Sequence, residues 1–193
     1  MGTTRRVAIR RAVAVAAGAA LSPVAARAVS AADDPAAFCA AAGGSVVERT
    51  AQQHQNDPTT LLASTAAFCE LTGGQGADPP DSVIALDAAS LAAAGPTLAT
   101  LAYRGKRPMP AISQPVNDQG TPMAVPNPAS LYCQLAGGAE WDWFAEDAAA
   151  DRQTVTMCVF PDRSAIDSWG LAYHGMGTVR GADLDPLMGW QGE

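Results

Sequence analysis

Four cysteines, two histidines, four tryptophans and a scatter of acidic side chains are the residues of this chain that could do chemistry. Cys39, Cys69, Cys133 and Cys158 form no Cys-x-x-Cys pair, and two histidines are few for a metal set, so redox and zinc chemistry are disfavoured. His54 lies in a polar stretch, residues 52–57. His174 stands where an earlier, similar word has Arg104, which suits an exposed helix end where a cation meets the dipole. Neither histidine has a visible orienting partner of the kind a general base needs. Asp78, Asp81 and the group Glu146, Asp147, Asp151 lack the alternating carboxylates of a dedicated calcium loop. No Gly-x-Ser-x-Gly elbow or Walker loop appears, and the glycines at 73–76 precede no basic residue. This reading assigns no catalytic residue, cofactor or metal site. Trp141, Trp143 and Trp169 remain as a candidate binding face for glycan or peptide, although period-two and helical spacing point them toward core packing first.

Whatever these residues do, they are expected to do it outside the cytoplasm. Arg5, Arg6, Arg10 and Arg11 precede a short uncharged run, residues 12–21, and small-residue cleavage sites end at Ala28 or Ala31. That is the order of an export signal, too short to span a bilayer. Thr4-Arg5-Arg6 hints at the twin-arginine route. Removing residues 1–31 leaves seven basic residues against all 19 acidic ones, a net charge of −12. Such a surface repels nucleic acid and anionic lipid, and keeps an exported protein soluble. No later segment is long and apolar enough for stable membrane insertion.

The elements that must position the cysteines and tryptophans come in two similar halves. Asp34-Pro35 leads to Cys39 and Gly43-Gly44, and Asn127-Pro128 leads to Cys133 and Gly137-Gly138. Each half has a second cysteine, and each closes on a similar word, Leu101-Ala102-Tyr103-Arg104-Gly105 and Leu171-Ala172-Tyr173-His174-Gly175. We read a duplication. Asp34 or Asn127 caps a short helix with proline at its first position, and Gly43 or Gly137 supplies a left-handed exit. Residues 139–143 and 154–160 alternate and predict a hairpin, and Ser164 to Asp167 resembles a capping box opening a helix that carries Ile166, Trp169 and Tyr173. Of the three formal pairings of four cysteines, the duplication selects Cys39–Cys69 and Cys133–Cys158.

The words Asn127-Pro128-Ala129-Ser130 through Gly138, then Cys158-Val159-Phe160-Pro161-Asp162 and Trp169, resemble a family of small exported bacterial domains of unknown function, whose members often carry a hemolysin label. The match covers residues 127–175, with residues 34–105 a much weaker, degenerate match. Arg163 stands where the family pattern has glycine, and Ile166 where it has a third cysteine. The resemblance implies export and sets no activity. The hemolysin label has little physical support, because the chain after residue 31 lacks the long apolar or amphipathic segment of a pore former.

The expected fold is α+β: two tandem helix-hairpin-helix (αββα) units, each with one disulfide. The expected organisation is a signal peptide at 1–31, a degenerate first repeat at 32–105, a proline-rich linker at 106–126, and a second repeat with a C-terminal extension at 127–193. The expected role is that of a secreted or envelope-associated, non-enzymatic binding module or inhibitor without cofactor, whose partner is a protein or glycan of the envelope or extracellular space. The alternative is a small secreted hydrolase with an unrecognised site.

Overall fold

The computed structural model describes residues 34–52, 61–74, 76–109, 111, 116–122, 127–145 and 154–192. The export segment 1–31, His54, and the acidic group at 146–151 lie outside them.

Two local signals read in the sequence appear as geometry. Helix α1 (Pro35–Ala41) is capped by Asp34, whose carboxylate accepts the Ala37 N–H at 3.0 Å, and helix α4 (Pro128–Leu135) by Asn127, which accepts the Ala129 N–H at 2.9 Å. Gly43 and Gly137 follow with φ of 85° and 90°, a turn that a Cβ would strain.

Each helix then feeds three strands: β1 (Ser45–Gln52), β2 (Leu61–Thr72) and β3 (Val83–Asp87) in the first half, β4 (Ala139–Phe144), β5 (Thr154–Val159) and β6 (Ala165–Asp167) in the second. Helix α2 (Ala88–Ala92) follows β3 and helix α5 (Ser168–Gly175) follows β6, while helix α3 (Leu98–Gly105) stands between the halves.

The expectation of two tandem helix-hairpin-helix units is overturned. The six strands close into one antiparallel barrel in the order β1-β2-β3-β6-β5-β4. Strands of the same rank meet at both seams: Ala51 faces Trp143 where β1 joins β4, and Leu86 faces Ile166 where β3 joins β6. A three-stranded sheet has two open edges, and here each half covers the edges of the other. The physical reason lies in β6. The word Ser164 to Asp167 opens no helix, because residues 165–167 pair with β5 and β3, and the helix begins one residue after Asp167. Ser164 instead accepts the Ala99 N–H at 2.9 Å, so the turn of one half caps α3 of the other, assisted by Asp162, which accepts the Leu98 N–H at 2.8 Å. In return, Ser82 in the turn before β3 accepts the Gly181 N–H at 2.8 Å.

The two closing words also fall on different elements. Residues 171–175 belong to α5, which follows its third strand directly, whereas residues 101–105 belong to α3. The helix that follows β3 directly is α2. Its cap Asp87 accepts the Ser90 N–H at 3.1 Å, as Asp167 accepts the Trp169 N–H at 2.9 Å.

The strand alternation produces two cores. The barrel interior is filled by Ala51, Phe68, Ala85, Trp143, Met157 and Ala165, with Phe68 and Trp143 edge to face at 5.1 Å between centroids. The opposite strand faces carry Leu71, Ile84, Leu86 and Ile166, which pack under the helices with Leu91, Tyr103, Tyr132 and Leu171. Disulfides Cys39–Cys69 and Cys133–Cys158 pin α1 to β2 and α4 to β5, with Cα separations of 5.6 and 5.5 Å. A Cβ on Gly44 or Gly138 would sit within 3.0 Å of both sulfurs of its disulfide, which explains the second glycine of each Gly-Gly pair. Among the described residues no helix is long and apolar enough to cross a membrane.

Candidate functional site

The barrel has two ends, and the strand register sends different residues to each. Arg49 is the fifth residue after Gly44, and Trp143 is the fifth after Gly138; both side chains enter the interior. Glu70 follows Cys69 as Val159 follows Cys158. The first end therefore holds Arg49 and Glu70 where the second holds Trp143 and Val159.

At the charged end, Arg49 is 2% exposed and Nε donates to Glu70 at 3.2 Å, with a second contact through Nη2. The pair borders a cavity of about 420 Å³ together with Asp167, Trp169 and Arg180. Burial pushes the Asp167 carboxyl above the usual carboxylate range, while the charges of Arg180 and Arg49 and the N–H groups of Gly170 and Trp169 oppose that rise. Asp87 is raised for the same leading reason, burial, and serves the same capping role. A raised carboxyl in a cleft is a signature of acid–base chemistry, but here its twin at Asp87 ties the shift to the cap.

At the aromatic end, Trp141, Trp143, Arg163, Ala51, Ala66 and Val159 border a cavity of about 440 Å³. Trp143 is 6% exposed, and its Nε1–H is buried with no hydrogen-bond partner among the described residues. Trp141 on the rim is 37% exposed. Arg163 has φ of 70°, the left-handed region that favours glycine. Its guanidinium makes no ion pair among the described residues.

The three tryptophans thus do not share one face. Trp141 and Trp143 stand at one end, and Trp169 stands at the other, tilted against Tyr173 with centroids 6.0 Å apart. His174 is buried rather than at an exposed helix end: it is 4% exposed and stacks on Tyr103 at 3.6 Å. Burial, and then the charge of Lys106, hold its pKa below the usual imidazole value against the opposing pull of Asp185 and Asp183. The stack arises because α3 packs beside α5, bringing the two similar words together.

Sequence reasoning missed Arg49, Glu70, Asp167, Arg180 and Arg163 as cavity residues. The signal for Arg49 was its parity: Val47, Arg49 and Ala51 share a strand face with two apolar neighbours. Arg163 had been noted only as a departure from a glycine, without the cavity beside it.

A family described as Domain of unknown function (DUF333) matches residues 124–174, the stretch from just before α4 to near the end of α5. No curated protein and no solved structure matches the chain.

Proposed function

We propose that this protein is an exported, non-enzymatic binding module whose ligand enters the aromatic end of the barrel. The observation that carries this reading is the cavity of about 440 Å³ bordered by Trp141 and Trp143, with Trp141 37% exposed on its rim. An exposed indole face beside a concave apolar wall is favourable to a ligand that is itself partly apolar. Export by residues 1–31, in a form that is secreted or held in the envelope, is supported by the arginine-led segment and by two disulfides that pin helices to strands. Duplication of an ancestral unit is supported by the same-rank seams, the paired caps Asp87 and Asp167, and the two glycines that graze the disulfides. The second half would then be the copy closest to the domain of unknown function, and the first its diverged partner.

A hydrolytic reading has one observation in its favour, the two carboxylates Glu70 and Asp167 at the charged cavity. Both already have structural work, as an ion-pair partner and a helix cap. Titration of tryptophan fluorescence with glycan and peptide panels, alongside product analysis, separates the two. The binding reading expects saturable, stoichiometric change that Trp141→Ala weakens, with no product formed. Turnover that is abolished by Glu70→Gln or Asp167→Asn would overturn it.

A further inference from the structure

Resting on the aromatic-end reading, we infer that the ligand is an acidic saccharide, held by its ring against Trp141 and by a carboxylate on Arg163. Three observations meet at one cavity. Trp143, 6% exposed, adds an aromatic wall to the cavity. Trp141, 37% exposed on the rim, offers a flat apolar face, and Ser64 beside it adds a hydroxyl. Ring C–H faces alternating with hydroxyl groups match that mixture better than an aliphatic chain does.

The third observation fixes the charge. Arg163 stands at φ of 70°, where an L side chain is strained and glycine is not. The neighbouring Asp162 makes no ion pair with it among the described residues; its oxygens accept from Leu98 N–H, Ser164 N–H and the Ser164 hydroxyl. A guanidinium kept at a strained position on a cavity rim, in a chain of net charge −7, is a local exception to the surface charge. Its five donors fit a carboxylate in two-point contact. The charged end also has an arginine and an indole, Arg180 and Trp169, but Glu70 and Asp167 share that cavity and disfavour an anion there.

Isothermal titration of the full exported chain with oligomers of glucuronic acid, and with glucose oligomers of equal length, tests the assignment. The acidic series should bind about tenfold more tightly or better, the effect of one charge-assisted contact. Arg163→Gly, which suits the backbone, should bring the two series to near parity, and Trp141→Ala should weaken both. Equal binding of the two series by the unaltered chain, or an acidic preference that survives Arg163→Gly, would overturn the charged contact. If neither series binds but an aromatic peptide does so through Trp141, the saccharide class is wrong while the aromatic-end reading stands. Binding of any ligand that Trp141→Ala leaves unchanged would remove the site itself.

Discussion

Arg49 and Glu70 close one end of the barrel with opposite charges, and Trp143 and Val159 occupy the matching places at the other end. Around them the frame is the same: a disulfide from helix to second strand, a glycine under its sulfurs, and an aspartate capping the helix after the third strand. The difference teaches that the frame tolerates either filling. The charged pair is therefore no requirement of the architecture, and the aromatic pair is none either. What the ends contain is free to follow what each must meet.

The comparison would break most visibly at the disulfides. Replacing Cys39 and Cys69 by alanine, or Cys133 and Cys158, should each lower stability by about 3–4 kcal/mol, given loops of 30 and 25 residues. Because the barrel is shared, either change should shift one calorimetric transition of the whole chain. Two separable transitions, with only one displaced, would restore the idea of independent halves.

Next in size is the charged end. Glu70→Leu removes one carboxylate from the buried Arg49 and should cost about 3 kcal/mol in urea unfolding, whereas the double change Arg49→Met, Glu70→Leu should recover most of that loss. Failure of the double change to recover it would make the ion pair a structural need, unlike its aromatic counterpart.

Gly44→Ala and Gly138→Ala should each cost about 1–3 kcal/mol, since each places a methyl group against disulfide sulfur and a strand carbonyl. Similar losses sharpen the equivalence of the halves; a neutral result at one would single out that half as looser.

A smaller effect separates the ends from their caps. Asp87 and Asp167 titrate above their unfolded value of about 3.8, so the folded chain holds more protons than the unfolded one between the two values. Their contribution is present below the unfolded pKa and is lost as pH rises through the folded one. Asp87→Asn, which keeps a capping oxygen, should gain on the unaltered chain as pH rises across that window, by no more than about 1.4 kcal/mol per unit. Denaturant melts from pH 3 upward read the difference, and parallel curves would show that burial of Asp87 carries no such cost.

The smallest change is a gain. Arg163→Gly relieves a left-handed arginine and should raise stability by about 1 kcal/mol. A loss would mean that the guanidinium supports the fold rather than a ligand.

How much of this was legible follows from distance along the chain. The caps Asp34 and Asn127, the proline starts and the left-handed glycines are set within four residues, and their spelling survives in both halves. The hairpin of β4 and β5 was equally local, its alternation intact. The barrel was not legible, because the β3–β6 seam rests on the facing of Leu86 and Ile166, 80 residues apart. Helix α2 went unread because Ala88 to Ala92 is short and carries no pattern. Ser164 was misread because a hydroxyl before an apolar pair spells a cap, and its recipient, Ala99 N–H, lies 65 residues upstream. The site was only half visible for the same reason. Trp141 and Trp143 announce themselves, but that Arg163 shares their cavity depends on the closure.

The seams also order events in time. They join residues 80 to 94 positions apart, so the strands of the first half are complete long before their partners exist. During synthesis the edges of β1 and β3 stay open until β4 and β6 arrive. The first half, poorer in aromatic residues, spends that interval with the edge pattern that invites pairing with a neighbouring chain. Chain closure is thus a late, non-local step, and until it is made two strand edges remain open to a neighbouring chain.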